Sequence, residues 1–399
     1  MRVLLTSVGS RGDIQPLAAL AHRLREGGAE VRVCAPPDEE FADLLAGVGV
    51  TLTPMGPTVR SVVAGDRPPT AEDAFRFARE LVAARFDVLG AAARGCDVLV
   101  ATGLMPAGAR DVAERFGIRY VYAGFHTYGL PSRHTVPGAR PGKPSPDDET
   151  DNRRLWEQDA QRVNALYREA LNTHRLAIGL SPVENVRDHV FGDRPWLAAD
   201  PVLCPWRPGV TDLDLVQTGA WILPDARPLP DELEAFLDAG EPPVHVGFGS
   251  MAAYTPADIA EVAIGAVRAH GRRVVLSRGW AGLLPTDDAG DCIVVGEVNQ
   301  QALFRRVAAV VHHGGAGTTT TTALAGAAQV VVPHIADQPY WGARVAELGI
   351  GAAHDMSAPT VESLAAALEI ALRPGTAARA ATVAGSIRTD GAAVAAGLL

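Results

Sequence analysis

Short apolar runs alternate with longer amphipathic stretches along the 399 residues, as expected for a parallel α/β design. In the first half, residues 3–6, 31–34, 97–101 and 119–122 read as strands. A helix lies between the first two, with Pro16 in the early position that suits proline and Gly27–Gly28 as its stop. From 125 to 151 the periodicity is lost in a Pro-, Gly- and charge-rich loop, and a long helix follows over 152–178. After a break over 201–218 the pattern restarts, with strands at 244–248, 274–277, 292–295, 308–311 and 329–332. A strand, a glycine turn and a helix head each half, at Gly9–Ser10 and at Gly249–Ser250. This predicts two Rossmann-like units: 1–205, a linker over 206–218, and 219–375, with an Ala-rich helix over 376–399.

Composition narrows the class. The chain is long for one domain, and 47% apolar with 21% charged residues describes a globular protein with buried cores. A net charge of −10 without a basic stripe argues against nucleic acid as a partner. Cys34, Cys96, Cys204 and Cys292 lie far apart, without the spacing of a zinc site or a disulfide scaffold. The first residues read as a strand rather than a signal peptide, and no apolar run reaches bilayer length. The expectation is a cytoplasmic protein without stable membrane insertion.

Residues 310–338, VVHHGGAGTTTTTALAGAAQVVVPHIADQ, carry the strongest chemical signal. They read as strand, glycine loop, helix, strand and an acid–amide pair. Gly314, Gly315 and Gly317 lack Cβ atoms, so backbone N–H groups can approach a ligand closely. Those groups open a helix, whose N-terminus has unsatisfied donors and a positive dipole end, a seat for phosphate. Gly315, Ala316, Gly317 and Thr318 are the candidate phosphate contacts, and Asp337 and Gln338 the candidate sugar contacts. The threonine run 318–322 is a poor helix former and must rely on packing. In the first half, the loop Gly9–Asp13 leaves a strand end, where open α/β sheets place ligands. Asp13 is a candidate general base, and spacing alone leaves helix N-cap open as its role. The one DxD, Asp212–Asp214, lies in the linker and reads as a solvated turn rather than a metal site; the acidic run 147–151 reads as exposed loop.

HHGGAGT followed by a strand and ADQP resembles the donor signature of GT-B nucleotide-sugar glycosyltransferases, a fold of two Rossmann-like domains facing each other across a cleft. MRVLLTSVGSRGDIQPLAAL resembles the amino terminus of their antibiotic-tailoring branch. VQTGAWILP, HVGFGSM, SRGWAGL and EVNQQALFRRVAAVVHHGG are similar to the enzymes that glycosylate vancomycin- and teicoplanin-type glycopeptides. The resemblance runs nearly end to end.

It implies an inverting transfer of a hexose from an NDP-sugar, UDP-glucose or similar, to a hydroxyl of a heptapeptide or other aromatic aglycone, with no cofactor and no metal. Asp13 would be the base, and the first domain would hold the acceptor along 50–67 and 125–140. The second domain would hold the donor, and the last helix would cross back to the first. Ser10, Arg11 and Gly12 join the donor set, with Ser10 either touching the ligand or orienting Asp13. Ser250 and His313 would meet phosphate oxygens, and His312 would be packed at the strand end. Arg278 and Trp280 would meet nucleotide or sugar, with a core role as the ordinary reading of Trp280. Val298 stands where relatives hold the base, often with a Trp. His126 stays outside the catalytic set as a surface or acceptor-lining residue. Transfer of a TDP-deoxysugar to another aromatic product and epimerisation of a sugar nucleotide remain alternatives. A nicotinamide dehydrogenase fits poorly, because Gly247–Ala252 breaks the GxGxxG fingerprint.

Overall fold

The structure, a computed structural model, describes every residue except 64–69, 139–148, 208–212, 252–255, 286 and 357. Asp212 of the DxD pair, Asp147, Asp148 and parts of both expected acceptor stretches lie outside the described residues. The chain forms two units: Met1–Pro201 with Pro205–Leu223 and Arg388–Leu399, and Val202–Cys204 with Pro224–Ile387.

The first unit is built on strands β1 (Arg2–Val8), β2 (Glu30–Ala35), β3 (Leu52–Pro54), β4 (Val98–Gly103), β5 (Arg119–Gly124), β6 (Trp196–Leu197) and β7 (Val216–Gln217). They form one parallel sheet in the order β3-β2-β1-β4-β5-β6-β7. Successive side chains of a strand point to opposite faces, and both faces of this sheet are covered. Val3 and Leu5 therefore meet Ile14, Leu17 and Phe41 on one face, while Leu4 and Val8 meet Leu81, Leu89 and Val112 on the other. That is why β1 is apolar almost throughout rather than alternating.

The second unit repeats the plan with β8 (Val244–Gly247), β9 (Val274–Ser277), β10 (Cys292–Val295), β11 (Ala309–His312), β12 (Ala328–Val331) and β13 (Gly351–Ala353). Their order is β10-β9-β8-β11-β12-β13, again parallel. Val244, Val246 and Val311 enter one core, and Val275 and Val310 the other.

The tail expected as one helix over 376–399 is divided. A helix Pro374–Ala384 stays in the second unit, where a Cβ on Gly326 would come within 3.4 Å of Ala381 Cα. The helix Gly391–Gly397 belongs to the first unit and buries Ala392 and Ala395 in the core of the helix Arg11–Glu26. Gly391 permits this, since a Cβ there would meet Ala220 O at 2.4 Å. The expected linker contributes β7 to the first sheet. Among the described residues, no helix is long and apolar enough to cross a membrane.

Candidate active site

In each sheet the strand order reverses beside the first strand of the unit, between β1 and β4 and between β8 and β11. Ligands of open α/β sheets bind beyond the carboxyl ends of the strands at such a switch point. In the second unit four loops leave that edge, after β8, β9, β11 and β12, and close contacts join them.

Gly249, at φ +58°, makes the turn after β8, which Met251 N closes by donating to Phe248 O at 3.2 Å. Trp280 N, after β9, donates to Gly249 O at 3.0 Å. Gly279 permits this approach, because a Cβ there would meet that oxygen at 2.8 Å. A Cβ on Gly249 would sit 3.3 Å from His313 Cε1 after β11, and one on Gly315 would sit 2.6 Å from His313 Nε2. Gly314, at φ +89°, lies against the loop after β12, where a Cβ would meet Gln338 O at 3.1 Å and Val331 Cγ1 at 2.6 Å. Glycine is thus required twice over at 314, by backbone angle and by space. The four loops form one continuous surface that includes Ser250, His313 and Asp337, each half-buried.

The candidate phosphate seat begins where the helix Ala316–Ala325 begins. Its N-cap is Gly315, which offers no side chain, and its first turn contains no acid. Thr319 N is the first to bond back into the helix, to Gly315 O at 2.9 Å, so the N–H groups of Ala316, Gly317 and Thr318 have no helical acceptor. The five threonines form a regular helix because Thr319, Thr320 and Thr322 direct their hydroxyls to the carbonyls of Gly315, Ala316 and Thr318 at 2.8–2.9 Å. Thr318 is half-buried at the ligand end.

The two histidines before the loop have different surroundings. His312 is fully buried; its Nδ1 accepts from Gly314 N at 3.1 Å, so its Nε2–H donates to Gln329 Oε1 at 2.9 Å. Burial lowers its pKa to about 4, and the ring braces the glycine loop as a neutral group. Gln329, a buried polar residue on β12 that periodicity alone reads as one more strand position, completes this brace by donating to Thr319 O at 3.3 Å. His313 lies beside the ligand edge with its Nδ1 enclosed and unpartnered. Burial, with His312 and His334 nearby, pushes its pKa down to about 3 against the opposing pull of Asp337.

Asp337 and Gln338 follow Ala336, which holds a left-handed φ of +56°. Gln338 Oε1 accepts from His334 N at 2.7 Å and Ile335 N at 3.0 Å, which ties this bend together. Its amide nitrogen lies 3.5 Å from Met251 Sδ. Of the remaining donor candidates, Arg278 is exposed and Trp280 is half-buried outside the core clusters, so the core reading of Trp280 does not hold. Val298 packs its half-buried side chain against the Leu303–Phe304 cluster.

In the first unit, Ser10 rather than Asp13 is the N-cap of the helix Arg11–Glu26, its Oγ accepting from Gly12 N at 3.3 Å. Asp13 is the third helical residue and is half-buried. Its carboxylate folds back over the loop, into space that a Cβ on Gly9 would enter at 2.0 Å from Oδ2. Arg11 donates to Gln15 Oε1 at 3.1 Å. Across the switch point the loop after β4 is held by Arg85, only 1% exposed, which donates to the carbonyls of Leu104, Met105 and Ala107 at 2.9–3.2 Å. Burial lowers its pKa to about 10, which leaves it charged, and no local motif marks it in the sequence. His126 follows β5, half-buried.

Asp111, Glu114 and His189 are the one cluster of metal-ligand type among the described residues. The Arg175 guanidinium already occupies its centre, bonded to Asp111 Oδ1 and, at 2.9 Å, to Glu114 Oε2. It is a buried ion pair that joins two helices.

Two Rossmann-like units, each built on a parallel sheet, are the architecture of a GT-B glycosyltransferase, and comparison with known proteins agrees. Residues 285–394 match the family model described as erythromycin biosynthesis protein CIII-like, C-terminal domain. The chain is 58% identical to glycosyltransferase GtfE of Amycolatopsis orientalis, over 100% of this chain and 97% of the relative. It is 57% identical to the vancomycin aglycone glucosyltransferase of the same organism, with the same coverage. The solved glycotransferase of kitacinnamycin shares the fold, with TM-score 0.72 at 20% identity over 100% of this chain and 97% of that one. The protein belongs to the family of glycopeptide-antibiotic tailoring glycosyltransferases, and it is an enzyme that transfers sugars.

Proposed function

We propose that the enzyme moves a hexose from UDP-glucose, or a closely related nucleotide sugar, to a phenolic hydroxyl of a vancomycin-type aglycone, with inversion and without metal. The observation that carries this reading is the bare first turn at Ala316–Thr318, next to the acid–amide pair through the Gly314–Gln338 contact. The 57% identity to the vancomycin aglycone glucosyltransferase supports both the sugar and the acceptor.

In this reading Asp13 takes the proton from the acceptor hydroxyl as its oxygen attacks the anomeric carbon. A phenol, with a pKa of about 10, is within reach of a carboxylate base far more readily than an alcohol. The bond from the anomeric carbon to the diphosphate oxygen breaks on the opposite face, and the nucleoside diphosphate departs. The N–H groups of Ala316, Gly317 and Thr318, with Ser250 and the neutral His313 as a further N–H donor, hold the growing charge. Asp337 and Gln338 orient the hexose, while Arg278, Trp280 and Val298 border the nucleotide. Ser10, Arg11 and Gly12 form the loop that carries Asp13.

The test is incubation with UDP-glucose and vancomycin aglycone in the presence of chelator, with mass spectrometry of the product. One added hexose, with loss of about 10²-fold or more in Asp13→Ala, is the expected result. No product from a panel of UDP- and TDP-sugars overturns the assignment. A requirement for added divalent metal overturns the metal-free mechanism alone.

A further inference from the structure

Asp337 does not meet the ligand edge as a free carboxylate. One helical turn on, in the helix Gln338–Glu347, Trp341 is 1% exposed and its Nε1–H donates to Asp337 Oδ2 at 2.7 Å. The indole is held by burial and by an edge contact with Tyr340, ring centroids 5.3 Å apart at 79°. An indole N–H only donates, so it selects the carboxylate and fixes its plane through a charge-assisted bond. Gln338 is bound just as firmly, with its Oε1 taken by two backbone N–H groups of the bend at Ala336. The pair therefore offers a ligand one carboxylate oxygen, Oδ1, and one amide N–H edge. That arrangement matches a sugar hydroxyl that donates to Asp337 and accepts from Gln338.

We infer that Trp341 is the positioning residue of the sugar-binding carboxylate and, through it, a determinant of hydroxyl recognition on the donor hexose. This rests on the reading that Asp337 binds the sugar. Loss of the N–H lets the carboxylate rotate away from the hydroxyl, while the phosphate seat, built from other loops, is unaffected.

The experiment compares wild type with Trp341→Phe, which keeps an aromatic ring and removes the N–H. The KM for UDP-glucose, or for the TDP-sugar that wild type turns over, is measured together with the calorimetric Kd for the free nucleoside diphosphate. The expected result is a KM raised about tenfold with the diphosphate Kd unchanged, the size of one charge-assisted hydrogen bond. In an Asp337→Asn background the same substitution adds nothing further, because Trp341 acts only through that carboxylate. If Trp341→Phe folds poorly, benzothienylalanine at 341 replaces the N–H by sulfur at nearly equal volume, and the same result is expected. An unchanged KM, a parallel loss of diphosphate affinity, or full additivity with Asp337→Asn overturns the inference. Wild type that binds no nucleotide sugar overturns the reading beneath it, which separates the two failures.

Discussion

Two loops of one design do opposite things with a helix N-terminus. After β1 the chain turns at Gly9 and caps the helix Arg11–Glu26 with Ser10, and an acid stands in the first turn. After β11 it turns at Gly314 and opens the helix Ala316–Ala325 with Gly315, with neither a capping side chain nor an acid. In the first loop the dipole end faces the protein's own carboxylate, and Ser10 Oγ already takes Gly12 N. In the second, three N–H groups and the positive end are left for an incoming anion. One helix terminus thus faces a fixed negative charge, as the proposed base requires, and the other is left open to a mobile one, as the proposed leaving group requires. Fold alone does not separate the roles; the residues at four or five positions do.

Acid conditions should separate the units most strongly. His245 and His312, on the central strands of the second sheet, are buried and neutral, with pKa values lowered to about 3 and about 4 by burial. Among the described residues β1 and β4 contain no histidine. Protonation favours the unfolded chain, where histidine titrates near 6.5, so stability is full above about pH 6.5 and falls as pH drops toward 4. At pH 5 the loss is about 2 kcal/mol for each of the two groups. Thermal unfolding from pH 7 to pH 5 checks this, and a His312→Gln variant should show a shallower slope.

Gly9→Ala sharpens the comparison from the first loop. The new Cβ occupies the space of the Asp13 carboxylate, and kcat should fall about 10- to 100-fold while diphosphate affinity stays constant. Gly317→Asp breaks the comparison by giving the second helix the acid of the first. A Cβ at 317 meets nothing within 4 Å, so the fold should hold, perturbed by less than about 1 kcal/mol. Calorimetry should show UDP binding weakened about tenfold by the added negative charge. The smallest effect belongs to Ser10→Ala, which removes a cap. It should lower stability by about 1 kcal/mol and leave kcat within a factor of three.

Much of this was readable before any fold was known. Apolar runs marked the central strands to within a few residues, as 3–6 against Arg2–Val8 shows. Glycine spacing marked the loop after β11, because only glycine tolerates the angle and crowding at 314. Other features were hidden for identifiable reasons. The threonine run looked like a weak helix because propensity does not count hydroxyls returned to carbonyls four residues back. Asp13 could be read as an N-cap because cap and third helical position differ by one bend of backbone. Arg85, Gln329 and Trp341 had no signal, since each acts on a loop distant in sequence or through a side-chain orientation.

By itself, then, the order of residues determined the two sheets, the glycine loop after β11 and the family, all of which depend on local periodicity and backbone freedom. Tertiary structure alone decided which histidine is a brace and which keeps an unpartnered ring nitrogen, which oxygen of Asp337 is taken by Trp341, and which unit the final helix joins. These outcomes depend on burial and on partners far apart in the chain, and on hydrogen bonds that form only once the strands have brought their loops to one edge.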